Sequence, residues 1–467
     1  MKEPIRLYLD HKSPDIDKVI SSFQSISDLY GIPFSSSAFE ELLERSYENK
    51  NRLNNEILEK VSKFLGKEVD YIDFTGRNIH SGHVCKYVCE ILGINDETYT
   101  TARGQYSFKK SDIEKLVENY EFKRKNTHND QQKELFTEYI ELLNNILDYN
   151  DISRLISTSN QLRLAKTKYE NWVLEVANKE QSENGKNFLE FEEVKPFLRD
   201  PDLFFVNPTF KKLDTGRIST SDPNIQGFKS ELKELITAPK GYKIASMDIK
   251  GQEVHILIWG ILENRIIKEN YIKYQEPYRA IIESAGYEFN EHVKADTKTA
   301  ILGIMNGMSM GYLLSQINNR DLGIKIYNMI TEDPGYKTKV VNYAKENKGK
   351  PNPMRRGLFG TEMPASKNGR YKSSLENQLK NGFFQLTASE ISSQSMMKFI
   401  LEVHNNENID ETDIRLLLPI YDEFVMIYRE DLEEYALNIF ESCFKPIVED
   451  WPRFRGEVQF GTHYMAK

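Results

Sequence analysis

The feature that most restricts the fold lies late in the chain. Two short apolar runs, 416–420 and 424–428, are separated only by Tyr421-Asp422-Glu423. Runs of this length around so short a connection predict a tight antiparallel hairpin with acids at its turn. A second apolar run, Lys243-Ile244-Ala245-Ser246-Met247, predicts a strand, and Asp248 follows it directly. A strand end fixes a carboxylate rigidly, and hard divalent cations prefer carboxylate oxygen. Two such acids meeting in space could hold two metals about 3.5–4 Å apart and run an in-line phosphoryl displacement. Taken singly, each acid reads first as a turn residue or a helix cap. The pairing gains its meaning from its neighbours.

Before these strands the texture is helical. Phe39, Leu42, Leu43, Ile57, Leu58 and Val61 recur at helical spacing over 35–65. Residues 80–93 predict another helix, and 111–150 two charged helices with an apolar stripe. Residues 178–188, rich in Glu, Ser, Asn and Gly, predict an exposed loop. From 203 the pattern changes: 203–206 predicts a strand, 256–259 opens a buried helix, and 293–316 and 383–404 predict helices. Segment 331–372, rich in Lys, Asn, Pro and Gly, predicts mobile loops. No internal repeat or low-complexity tract is present.

Composition narrows the class. At roughly 100–200 residues per domain, 467 residues allow two to four domains or subdomains with a sizeable core. No run of about 18 apolar residues occurs, so no membrane span is expected. The start lacks the apolar stretch of a secretion signal, and three cysteines are too few for a disulfide framework, which points to a reducing cytoplasm. The net charge of −9 argues against a simple nucleic-acid binder. The average conceals a split: residues 316–380 hold 13 Lys/Arg and 6 Asp/Glu. A local basic patch can hold a phosphate backbone while the remaining surface stays acidic. A solvated, lysine-rich subdomain would look the same.

Other segments carry candidate chemistry. Lys294 and Lys298 stand four residues apart on one helix face, continued by Leu302 and Asn306. Two lysines there can bind a triphosphate as point charges, or form a solvated face. Gly303 and Gly307 in the same stretch suit a close approach to the backbone. The polar segment 215–226 bears Arg217 and Gln226 and suits phosphate or minor-groove contact, or is a plain turn. His80, His83, Cys85 and Cys89 cluster, but their spacing matches no standard zinc finger. Packing is the better reading.

Taken in order, these segments resemble family A DNA polymerases, the group of bacterial DNA polymerase I. Segment 215–226 resembles that family's TGR-S-S-x-DPN-x-Q pattern, and Asp248-Ile249-Lys250-Gly251-Gln252-Glu253 resembles motif A, D-Y-S-Q-I-E. Lys294 to Gly307 resembles motif B. Asn381 and Gln385 match an N-xxx-Q helix pattern, and Tyr421-Asp422-Glu423 resembles motif C, H-D-E. The resemblance covers roughly 30–467. It implies a mixed α/β right-hand polymerase, with a palm of antiparallel sheet plus helices, a helical thumb and helical fingers. The implied division is an N-terminal extension 1–30, thumb and start of palm 31–202, palm with motif A 203–262, fingers with motif B 263–380, and palm with motif C 381–467.

By the same resemblance, Asp248 and Asp422 are the metal-binding catalytic acids, with Glu423 beside them, and the cofactor is Mg²⁺ or Mn²⁺. Lys298, Lys294, Glu253, Leu302 and Asn306 would line the nucleotide site, Glu253 crowding the sugar 2′ position. Arg217, Gln226, Asn381, Gln385 and Tyr421 would contact DNA. The implied partners are primer–template DNA and dNTPs, for a monomer working with replication accessory proteins and without a membrane. Only about 30 residues precede the thumb-like segment, so neither a proofreading exonuclease nor a 5′ nuclease domain is expected. Ile249, Leu302, Asn306, Tyr421, Asn377 and His255 depart from the family's residues. The implied activity is template-directed DNA synthesis in replication or repair, in a phage or mobile element. A single-subunit RNA polymerase and a catalytically silent primer–template-binding protein are the alternatives.

Overall fold

The computed structural model of the chain describes residues 16–69, 82–94, 110–182, 200–365, 374–409, 411–420, 422–443 and 451–465. It is a mixed α/β structure that divides into two compact units, Met1–Ser35 with Ala165–Lys467, and Ser36–Leu164. The expected N-terminal extension contains a helix, α1 (Ile16–Tyr30). Its Ile16, Val19 and Phe23 form a buried stripe, and Phe23 meets Phe210 with ring centroids 5.3 Å apart. Strand β1 (Ile32–Ser35) follows.

The unit Ser36–Leu164 is helical. It comprises α2 (Ser36–Leu65), α3 (Gly82–Leu92), α4 (Lys110–Asn126) and most of α5 (Asp130–Ser182). Leu53, Ile57 and Val61 on α2 recur every four residues and are buried with Val88, Ile113, Leu116, Leu143 and Ile146. This is the apolar stripe expected over 35–65, and Cys89 is buried in the same unit. His80 and the side chains of His83 and Cys85 lie outside the described residues. Residues 178–182, expected to open a loop, instead continue α5, which holds no glycine or proline, and 183–188 lie outside the described residues.

The larger unit holds the sheets. Strand β2 (Leu203–Val206) pairs antiparallel with β1, and β3 (Thr209–Lys212) pairs with β4 (Ile218–Ser221). The main sheet has the order β10-β5-β9-β8, all antiparallel, with β5 (Tyr242–Ile249), β8 (Ile414–Ile420), β9 (Glu423–Arg429) and β10 (Gly456–Gly461). Strand β8 is buried throughout, and β9 is buried up to its last residue. Hence their sequences read as continuous apolar runs rather than alternating ones.

After β5 come α6 (Gln252–Ile256), α7 (Arg265–Tyr274), α8 (Pro277–Ser284) and α9 (Glu291–Met305). The helix expected over 293–316 is interrupted. It ends at Asn306, Gly307 takes φ +75°, and a short helix α10 (Met310–Leu313) follows. Helix α11 (Arg320–Thr331) is capped by Asn319. Segment 331–372, expected as loops, is largely ordered among its described residues: 334–348 is helical, and β6 (Met354–Arg356) pairs with β7 (Glu362–Pro364). The Asp333 carboxylate accepts backbone N–H groups from Glu263, Asn264, Gly335 and Tyr336. A buried acid thus supplies the order that an apolar pattern did not announce.

Helix α12 (Leu375–His404) starts eight residues before the expected 383 and runs through the middle of the unit. It packs on α1, α6, β6, β8 and α13 (Glu433–Cys443). Its buried residues include Ser389, Glu390, Ser392, Ser393, Gln394 and Ser395, of which Ser392 accepts from Gln252, Ser389 donates to the Gly216 carbonyl and Glu390 accepts from the Phe359 and Thr361 N–H groups.

Candidate active site

The expected meeting of the two strand-end acids occurs in the main sheet. Residues Tyr242 to Asp248 of β5 lie antiparallel to Arg429 to Glu423 of β9, which sets Asp248 opposite Glu423. Asp422 occupies the β8–β9 turn, and the Ile249 N–H donates to its carbonyl at 3.1 Å. The sheet register therefore brings the two acids together from positions 174 residues apart in sequence.

Their electrostatics mark the turn as the charged centre. Burial pushes the Asp422 carboxyl up to about 6, and the Asp248 carboxylate adds to the shift. Its own backbone hydrogen bond and the Arg217 guanidinium oppose this, while Glu253 reinforces it. Asp248, Asp422, Glu253 and Arg217 are thus within electrostatic reach of one another. Glu423 behaves differently: it is buried and accepts a hydrogen bond from the Tyr464 hydroxyl at 2.8 Å. Burial and Glu423 push that hydroxyl up, and burial pushes the nearby Lys233 ammonium down. Among the described residues no three His, Cys, Asp or Glu gather into a metal-binding group.

Motif A turns sharply at Gly251, whose φ is +62°. A Cβ there would come within 2.9 Å of the Pro277 ring, so glycine permits the start of α8 to approach. That approach brings Tyr278 to the site. Burial pushes its hydroxyl up to about 12, with Glu253, Glu276 and Asp422 adding to the effect. Tyr278 is a site residue that the sequence reading missed. Pro277 signals a helix start, but no local pattern shows where the next ring points.

Glu253 receives a hydrogen bond from Arg217 at 2.8 Å, with both side chains about three-quarters covered. Gln252 points the other way and donates to Ser392 Oγ at 3.2 Å. His255 is buried. Its Nδ1 lies 2.8 Å from the Tyr271 hydroxyl, its ring is 4.0 Å from that of Phe454, and burial pushes its pKa down to about 3. The family's arginine position is therefore filled by a neutral core ring.

The expected polar loop 215–226 is partly a hairpin arm, and its two named residues separate. Arg217 reaches the site. Gln226 is buried, and its amide donates to the carbonyls of Ile218, at 3.0 Å, and Pro419. It ties β4 to β8. Gln226→Ala should lower stability by about 1–3 kcal/mol by orphaning buried carbonyls. Denaturant midpoints should shift while DNA affinity, measured well below the transition, stays close to wild type.

Helix α9 carries the expected cationic face. Lys298 is exposed, and Lys294 pairs loosely with Glu291 at 3.6 Å. Leu302 is half-buried on the same face. Asn306 is exposed at the helix end, and its Oδ1 accepts from the Asn381 amide at 2.6 Å. Gln385 stands one turn further along α12 and is half-buried. Asn306 and Asn381 therefore meet. Tyr421 lies outside the described residues.

No family model matches the chain. Over 235 residues, 47% of its length, it is 27% identical to DNA polymerase I of Pseudomonas aeruginosa. It spans about a quarter of the length of that curated relative, since the match covers 25% of it. In fold, 96% of the chain matches 69% of the POL domain of Pol1 from M. smegmatis, solved in complex with DNA primer-template and dNTP. The TM-score is 0.67 and the identity 14%. The resemblance to family A DNA polymerases therefore holds in sequence and, over nearly the whole chain, in fold.

Proposed function

We propose that this chain is a DNA-directed DNA polymerase that extends a primer along a template with dNTPs. The carrying observation is the convergence of Asp248 and Asp422 at the end of β5 and the β8–β9 turn. Asp422 is held up to about 6 by burial and by Asp248, so the pair carries more negative charge than its surroundings balance. That is a fitting seat for a divalent cation, and two carboxylates completed by substrate phosphates suit Mg²⁺ better than an all-protein cage. Bound there, Mg²⁺ or Mn²⁺ would supply Lewis-acid stabilisation of charge developing on the phosphoryl oxygens.

The chain's own residues divide the remaining work. Asp248, near the end of β5, and Asp422, in the β8–β9 turn, would hold the cation. Lys298 and Lys294 present point charges from the exposed face of α9 to the triphosphate. Glu253, held by Arg217, takes the space a 2′-hydroxyl would need. Arg217, Asn381 and Gln385 face the primer–template. The polymerase-domain likeness extends over 96% of the chain, so these residues supply synthesis and no 3′–5′ proofreading of their own.

Primer extension with Mg²⁺, first with dNTPs and then with NTPs, tests this reading. Extension with dNTPs in strong preference to NTPs is expected. Preference for NTPs would favour an RNA polymerase, and tight primer–template binding without extension would favour a silent binding protein.

A further inference from the structure

We propose that Arg355, on the β6–β7 hairpin, is a positioning residue for sugar selection, acting on Glu253 through the 214–217 turn and Arg217. This rests on the reading of Glu253 as the sugar-selecting acid.

Arg355 is only 4% exposed, and its Nη1 donates to the Asp214 carbonyl at 2.7 Å. Burying a guanidinium is costly unless its donors are directed to acceptors. A hairpin that needed only to pack would do so with an apolar residue here. The hairpin itself is clamped to α12. The Leu358 N–H donates to Thr387 Oγ1 at 2.9 Å, and the Phe359 and Thr361 N–H groups donate to the buried Glu390 at 3.0 and 2.7 Å. Gly382 of α12 leaves room for the Arg355 stem, since a Cβ there would lie 2.7 Å from it. Arg355 thus reaches Asp214 from a fixed base.

The turn it reaches is held from a second direction. The Ser389 hydroxyl donates to the Gly216 carbonyl, and the Leu213 N–H donates to the Arg217 carbonyl at 2.9 Å. Gly216, at φ +78°, packs so closely on α12 that a Cβ would come 2.8 Å from Leu386. Three residues after Asp214, Arg217 donates to Glu253 at 2.8 Å. The motif B positions that carry aromatic residues in family A polymerases are Leu302 and Asn306 here, and the Asn306 side chain is engaged with Asn381 and the Leu302 carbonyl. Glu253 is therefore braced from the turn held by α12 and the hairpin, through a relay that starts at Arg355.

The test is kcat/KM for a dNTP and its matching NTP, on one primer–template with Mg²⁺, in wild type, Arg355→Ala, Arg355→Lys, Glu253→Ala and the Arg355→Ala/Glu253→Ala double variant. Arg355→Ala should lower the dNTP-to-NTP ratio about 3–10-fold, the worth of one buried hydrogen bond to carbonyl. Arg355→Lys, which keeps a charged donor, should recover most of it. In the Glu253→Ala background, Arg355→Ala should leave the ratio where Glu253→Ala put it. If Arg355→Ala does not fold by circular dichroism, Arg355→Gln takes its place with the same expected direction. An unchanged ratio in the Arg355 variant, beside a collapsed ratio in Glu253→Ala, overturns the relay and leaves the polymerase reading intact. So does an equal loss in both backgrounds. A Glu253→Ala ratio equal to wild type overturns the acid's role and the relay with it. Absence of any extension by the wild type overturns the functional reading and the relay together.

Discussion

Asp422→Asn should reduce the rate of primer extension by about a thousandfold or more while primer–template affinity stays within about threefold. The substitution keeps the shape of the side chain and removes the charge that a divalent cation would meet, so a loss this large would be chemical and not a folding defect. The stability of the variant should move the opposite way. Burial and Asp248 raise the Asp422 carboxyl to about 6 in the folded chain, above its unfolded value near 3.8. The ionised form is therefore disfavoured by folding. Stability falls as pH rises from about 4 through 6, and the deficit is complete above that window. Asp422→Asn should recover it, by about 1–3 kcal/mol at pH 8 in EDTA, with the gain vanishing below pH 4. Urea midpoints at the two pH values measure this, and primer extension on the same preparation measures the chemical loss. A variant that polymerises normally, or that is less stable than wild type at pH 8 in EDTA, would contradict the assignment.

Lys298→Ala should lower kcat/KM for dNTPs about a hundredfold, with primer–template affinity changing less than threefold. Lys298 stands exposed on α9 and Lys294 lies one turn before it, loosely engaged with Glu291. A compact ammonium on such a face interacts with a triphosphate far more strongly than with neutral groups. The loss should therefore grow when Lys294→Ala is added. It should shrink for Lys298→Arg, which keeps the charge. Steady-state kinetics over a dNTP concentration series, with fluorescence anisotropy for the primer–template, separates the two effects. Equal weakening of nucleotide and DNA binding would mean that the lysines serve the duplex.

The sheet and its acids were legible because they depend on local pattern. Continuous apolar runs ending in Asp248 and in Asp422-Glu423 signal strands buried on both faces, and the register does the rest. The helices of 36–164 were legible because Leu53, Ile57 and Val61 repeat at helical spacing. Polar cores were harder. Gln226 reads as a surface donor in a polar loop, yet its amide is consumed by two buried carbonyls. Segment 331–372 reads as loops because its order comes from Asp333, Arg355 and Glu390, whose partners are backbone groups that no sequence displays. Tyr278 and the Arg217–Glu253 pair share this difficulty. Each is set by how distant elements meet, at a glycine turn in one case and through the α12 contact in the other.

Single-nucleotide extension under single-turnover conditions, in Asp248→Asn, Asp422→Asn and the double variant, tests the pairing of the two acids most directly. If both hold one catalytic cation site, each single variant should lose nearly all activity, and the double should be little worse than either. Near-normal extension by either single variant, or losses that multiply in the double, would show that Asp248 and Asp422 do not work as one site.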